Sequence, residues 1–409
     1  MMGSAMSAKR QAGSPQGVVL VVTATLSVMG VLLIAPILPQ LIAYYADTPG
    51  IAFLGPVILT VPAICIALFS PLAGWAADRV GRRRILLIAM FLYGPLGAAP
   101  MVLDSIWAVL ASRVALGLTE AIIMTASTTL IGDYFEGRRR DTWLAWQVGA
   151  ASISAIFLMF IGGLLGEISW RAPFAIYFFA WFLGLALLML TWEPAPSDRE
   201  RDRASDAGGA FPVRLMILIC GVTLFGGVVF YIVPIQLSVV LATLGITNPA
   251  MIGGSAAFGS LVVPLGALIF RRLTGRLSMS LILGGAFLIA GLGMLVMGLS
   301  RTYLLTMVGV LINQLGCGVI LPTLLAWAMA SLPLDARGRG VGFWTGAFFI
   351  GQFFSPVLLT LGVQALGSVG KAVIACGIVA LGCAAVGLIH GAKDGSSSGR
   401  PAQPNKDTA

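Results

Sequence analysis

The sequence predicts an all-α integral membrane protein with twelve transmembrane helices in two six-helix, pseudo-symmetric bundles. Three observations carry this. Of the 409 residues 58% are hydrophobic and 10% charged, against about 25% charged in a soluble domain. Twelve apolar runs approach the roughly 20 residues needed to cross about 30 Å of hydrocarbon. The basic residues gather in alternate loops, as positive-inside topology requires.

In chain order, residues 1–16 form a short polar segment, and the apolar run after it is too long for the core of a cleaved signal peptide, so it is read as a retained helix. The first six spans are expected at about Gly17 to Tyr44, Ile51 to Ala76, Ile85 to Val102, Ile106 to Ile131, Thr142 to Leu165 and Pro173 to Trp192. They make an N-terminal bundle over 17–192. Residues 193–212 are charged, contain proline and lack large apolar side chains, so they read as a cytoplasmic linker. The second bundle, 213–390, has spans at about Val213 to Leu244, Met251 to Phe270, Met279 to Leu299, Tyr303 to Leu332, Val341 to Leu366 and Ala372 to His390. A disordered cytoplasmic tail, 391–409, is expected to follow.

With the N-terminus placed inside, 21 of the 25 basic residues fall on the cytoplasmic side. Arg171, Arg301 and Lys371 fall outside, and Arg113 lies within a span. Both termini are then cytoplasmic and the protein is multi-pass in a cell inner (plasma) membrane. The net charge of +9 reflects this topology rather than nucleic-acid binding. The five cysteines all lie in apolar stretches without a CxxC pair, so neither disulfides nor zinc is expected.

The two halves echo one another. PLAGWAADRVGRRR begins at Pro71 and PLGALIFRRLTGR at Pro264, the second copy lacking the acid; WQVGA from Trp146 is matched by WTGA from Trp344. Parallel repeats of this kind build one large class of transporters.

Gly74, Asp78, Arg79, Gly81, Arg82 and Arg83 spell GxxxDRxGRR between the second and third spans, and Arg113, Gly117 and Ala121 spell RxxxGxxxA in the fourth. On these motifs the chain resembles the major facilitator superfamily over nearly its whole length. The segments APILPQ (Ala35 to Gln40) and GFWTGAFFIGQFFSP (Gly342 to Pro356) are similar to its bacterial drug and metabolite efflux members. The Gly-Pro antiporter signature of the fifth span is degenerate here: Gly149, Gly162 and Gly163 are present, but Leu158 and Met159 replace the Gly and Pro. The resemblance implies that Gly74 and Asp78 face the start of the eleventh span (Gly338 to Gly342), that Arg82 pairs with Asp133, and that this cluster gates alternating access. Gly74 would let the second span approach a neighbouring backbone, and Asp78 lies on the same face. Arg83 and Arg84 are read as topology alone.

Charge inside a span is costly and marks an ion path or a paired site. Arg113 lies about 10 Å inside the outer end of its span, and Glu120 about 10 Å deeper on nearly the same face. With Gly117 they form one stripe. Glu120 is the one carboxylate near the middle of any expected span and the first candidate for a proton-coupling group; the structural alternative is that the two neutralise each other or bond to neighbouring helices. Cavity-lining candidates are Met124, Trp146, Gln147, Phe230, Tyr231, Gln236, Asn313, Gln314, Trp344 and Gln352, which would suit an apolar or amphipathic solute. Each could equally serve helix packing. Asp47 and Asp104 fall at outer ends. Pro36, Pro39, Pro62, Pro234, Pro322 and Pro356 can kink their helices.

The first expectation is a secondary transporter, with proton-coupled export of a small organic solute by alternating access. The second is an uptake carrier for an organic anion, with Arg113 as anchor. A remote third is a non-transporting membrane sensor or enzyme, for which no HExxH, phosphate loop or serine-nucleophile motif is found. The expected partners are solute, protons and membrane lipid, with no cofactor, metal or nucleic acid, and the expected state is a monomer.

Overall fold

The structure is a computed structural model and describes residues 12–194, 212–332 and 337–397. Twelve helices are long and apolar enough to span a membrane. They are α1 (Ser14–Tyr44), α2 (Ile51–Val80), α3 (Arg82–Met101), α4 (Ile106–Tyr134), α5 (Gly137–Ile168), α6 (Ala172–Leu190), α7 (Val213–Ala242), α8 (Pro249–Leu273), α9 (Met279–Leu299) and α10 (Tyr303–Ser331), then α11 (Arg337–Leu366) and α12 (Val369–Ser397). Several run past the apolar stretches that announce them. Thus α2 continues to Val80, α5 begins at Gly137, and α12 reaches Ser397 where a disordered tail is expected from Gly391. Backbone hydrogen bonding carries a helix beyond the hydrocarbon wherever no breaker intervenes. Most of the expected linker and of both terminal segments lies outside the described residues.

Local chemistry sets the ends. Asn248, Ser278 and Thr302 cap α8, α9 and α10, each side-chain oxygen accepting the backbone N–H three residues on. The turn from α2 to α3 needs φ +102° at Gly81, and the second sequence echo holds Gly275 at φ +83°, a conformation that a Cβ disfavours. Proline shapes the interiors. In α1 a 3-10 turn, Ala35–Ile37, surrounds Pro36; in α7 a π turn, Ile232–Gln236, surrounds Pro234, which has no N–H for the Phe230 carbonyl.

Helices α1–α6 form one half and α7–α12 the other. Within the second half, α9 and α12 pack along their length. Gly284, Gly291 and Gly298, spaced by seven, meet Gly387, Gly377 and Gly370 of the antiparallel partner at near backbone contact. Small residues are the usual means by which membrane helices approach closely.

The halves meet mainly through α5 with α8 and α2 with α11. The end bearing the α2–α3 loop is called here the basic end. Near the opposite, far end, Gly163 of α5 lies against Pro249 and Gly253 of α8, and Asn248 Nδ2 donates to Glu167 Oε1 at 2.8 Å across the two halves. The last turns of α1 also pack on the end of α7. Toward the basic end α5 loses this cover, leaving Ala145, Val148 and Ser152 of the same face exposed. The far end is closed and the halves part toward the basic end.

Candidate functional site

Glu120 and Arg113 are enclosed in the N-terminal half, 1% and 0% exposed. No ion pair joins them; each instead bonds to neighbouring helices, the other arm of the structural alternative, and two tyrosines stand between. Arg113 Nη1 donates to the Tyr177 hydroxyl of α6 at 3.1 Å, and Nη2 to the Leu96 and Gly97 carbonyls of α3 at 3.2 and 2.6 Å. The Leu96 carbonyl is available because Pro100, four residues on, has no N–H. The guanidinium also lies 5.3 Å from the Phe174 ring centre and 5.1 Å from that of Tyr177. Arg113 is therefore held by three hydrogen bonds with its Nε buried and unpartnered among the described residues, and it is fully enclosed, with no open face for an organic anion.

Glu120 faces α1 at Gly30, where a Cβ would collide with its carboxylate. Its partner is the Tyr93 hydroxyl of α3, 3.1 Å from Oε1. That hydroxyl is also 2.8 Å from the Leu26 carbonyl of α1, yet it has a single hydrogen. An ionised Glu120 accepts that hydrogen. A protonated Glu120 donates to the Tyr93 oxygen while Tyr93 donates to Leu26. Rotation of one O–H therefore fits either protonation state. Gly117 does not share this face; it packs on Pro62 and Cys65 of α2, so the expected stripe divides between two neighbours.

At the basic end Arg82 joins Asp133, at the end of α4, to Asp78, donating to Asp78 through Nε at 3.3 Å and Nη2 at 3.1 Å. Arg79 lies over the Trp75 ring, 4.2 Å from its centre. One expectation fails here. A Cβ on Gly74 would make only ordinary contact, 3.7 Å, with Thr125 of α4, so no backbone approaches closely there. The side chains of 333–339, at the start of α11, lie outside the described residues, but Gly342 just beyond them has open space around it and Asp78 is 64% exposed. The reason is the parting of the halves at this end.

Arg83 does more than set topology. Its Nε donates to Thr191 Oγ1 at 3.1 Å and its Nη2 to the Leu188 carbonyl at 2.8 Å, holding the end of α6. Glu193 returns the contact, its carboxylate accepting the Arg83 and Arg84 backbone N–H groups at 3.1 Å each. An acid at a helix N-terminus satisfies orphan donors and the dipole together. Tyr134 completes the junction, its hydroxyl bonded to the N–H and carbonyl of Trp192. Sequence reasoning missed Glu193, although an acid directly after a span and facing GRRR was the available signal.

The cavity candidates divide. Gln147 ties α5 to Ser127 and Thr128 of α4, with Met124 beside them in the partly buried cluster around Ala121 and Phe349. Trp146 is exposed. Asn313 faces away from the other half: it donates to the Ala290 carbonyl of α9 at 3.2 Å, which makes it a packing residue. The remainder lie on α7, α10 and α11. Trp344 and Phe348 stack at 6.0 Å with 4° between their planes, and Phe230 and Tyr231 approach Phe348 at 5.9 and 5.5 Å. Gln236 Nε2, both amide atoms of Gln314, Gln352 Oε1, Ser355 Oγ and the Trp344 indole nitrogen are buried with no hydrogen-bond partner among the described residues. Each such atom costs about 1–3 kcal/mol.

The family profile described as Major Facilitator Superfamily matches residues 20–356. The chain belongs to the Major Facilitator Superfamily. Among curated proteins it is 32% identical over 164 residues to the class B tetracycline resistance protein of Escherichia coli, covering 39% of each chain. It is 27% identical over 217 residues to the class D protein of Salmonella ordonez, covering 50% of this chain and 54% of that one. The matched segments thus span between about two fifths and just over half of those relatives. Among solved structures, the D-xylose-proton symporter superposes with TM-score 0.74 at 13% identity over 93% of this chain and 96% of that one. A bacterial homologue of the lysosomal transporter Spinster, inward-facing and occupied, gives 0.70 at 16% over 92% and 94%. At such identities these two likenesses speak for the fold alone.

Proposed function

We propose that this transporter exports a small organic solute in exchange for protons, by alternating access across a bacterial inner membrane, with both termini cytoplasmic. The observation that carries the proposal is Glu120. It is a carboxylic acid enclosed amid spans, bonded to a tyrosine that fits both of its protonation states, and set against α1 where a side chain at Gly30 would displace it. Gain or loss of its proton changes the contact between α1 and α4. A buried acid kept without a cation partner is costly unless its protonation is used. The partial likeness to tetracycline resistance proteins supports export of an organic compound rather than uptake, and the enclosed Arg113 offers no anchor to an anion.

The test is solute flux in proteoliposomes under an imposed pH gradient, with parent and Glu120→Gln compared at equal reconstitution. The expected result is gradient-driven flux in the parent, and in Glu120→Gln exchange of solute for solute that no longer responds to the gradient. Equal gradient-driven flux in both removes Glu120 as the coupling group.

A further inference from the structure

We propose that the seam of α7, α10 and α11 is the solute subsite, and that it takes an uncharged planar ring compound bearing several carbonyl or hydroxyl groups. This rests on the transport reading above and names the class of cargo. The first support is where charge is absent. Residues 215–270, 277–300, 302–334 and 340–370 contain no Asp, Glu, Lys or Arg, so the interior of α7–α11 is electrically neutral, while Arg113 and Glu120 are confined to the other half.

The second support is the set of unpartnered groups. Gln236, Gln314, Gln352 and Ser355 are all buried, and each holds a polar atom without a partner among the described residues. Native interiors rarely leave such atoms unpaired without a functional reason. Their placement is coherent. The π turn that ends at Gln236 touches α8, α10 and α11; Val233 of that turn and the Gln314 side chain flank the same glycine, Gly259. Gln352 is one helical turn beyond Phe348 on the same face of α11. The third support is the stacked Trp344–Phe348 pair edged by Phe230 and Tyr231, a flat apolar wall beside the amides.

Ring faces stack on that wall. Amides, which both donate and accept, pair with carbonyls and hydroxyls. An ionised group would lose its hydration here and meet no counter-charge.

The experiment uses the full chain in lipid nanodiscs and two probes of matched ring system, 2-(hydroxymethyl)anthraquinone and anthraquinone-2-sulfonate, with binding read by calorimetry. The neutral probe is expected to bind, and the sulfonate at least about tenfold more weakly, a tenfold ratio being about 1.4 kcal/mol. Gln314→Leu and Gln352→Leu are each expected to weaken the neutral probe about tenfold while leaving the melting temperature of the ligand-free protein unchanged or higher, because neither removes a hydrogen bond within the protein. Asn313→Leu, which does remove one, lowers that temperature. Absence of neutral-probe binding, equal binding of the sulfonate, or unaltered affinity in both glutamine variants overturns the proposal; so does a fall in melting temperature in both, which would make the amides structural. Proton-driven flux of the neutral probe, measured separately, tells the two readings apart. Binding without flux removes the transport reading and leaves the subsite, whereas flux indifferent to both glutamines removes the subsite and leaves transport.

Discussion

Arg113 shows how one side chain is held in the middle of a membrane protein without a counter-ion. Its guanidinium spends three hydrogen bonds on two backbone carbonyls and a tyrosine, with two aromatic rings nearby. A planar fork reaches acceptors in several directions at once, which a lysine ammonium cannot. Arg113→Lys is therefore expected to keep the charge and still lose on the order of 2 kcal/mol of stability, read as a lower melting temperature of the protein in detergent. An unchanged temperature would mean that the charge alone matters there. The charged members of this cluster were legible in the sequence because charge inside a span is rare. Tyr93 and Tyr177 were not, since a tyrosine in an apolar run looks the same whether it holds a carboxylate or fills space. For the same reason the pattern placed Asn313 with the cavity residues, although its bond to Ala290 turns it toward α9.

At the scale of elements, hydropathy located all twelve helices and the proline positions marked the breaks in α1 and α7. It could not say which helices pack most closely. That information lies in glycine spacing, and only once the partner is known: Gly284, Gly291 and Gly298 form a line that becomes meaningful against the line on α12. A Cβ at Gly291 would lie 3.0 Å from the Gly377 carbonyl oxygen, whereas at Gly285 it would meet nothing within 4 Å. Gly291→Leu is expected to force α9 and α12 apart and cost about 1–3 kcal/mol, seen as a lower melting temperature and a lower yield of folded protein. Gly285→Leu, on the open side of the same helix, separates packing from any effect of hydrophobicity. Equal losses in the two variants would show that the glycine line is not what joins these helices.

At the scale of the whole molecule, two halves that close at the far end and part at the basic end give the α2–α3 loop a different task in each conformation. Here Asp78 is exposed and, among the described residues, bonded to Arg82 alone, an arrangement worth about 0–1 kcal/mol. Any larger contribution has to arise when the basic end shuts and the start of α11 comes within reach of this loop, where an acid can face the positive end of a helix. The sequence resemblance pointed to that docked state; in the structure Gly74 makes only ordinary contact and Gly342 is open, as the parted basic end requires. One substitution should separate the two conformations. Asp78→Asn is expected to insert normally and melt within about 1 kcal/mol of the parent, because the pair it weakens contributes little in the state with the basic end open. Its turnover in proteoliposomes should nonetheless fall several-fold, because the closed basic end loses its docking charge. In the same variant, an introduced thiol at Gly342, itself open in this conformation, should react faster with a maleimide added on the basic side. Parental turnover together with parental thiol reactivity would remove the loop from the gating cycle and leave it as a determinant of topology.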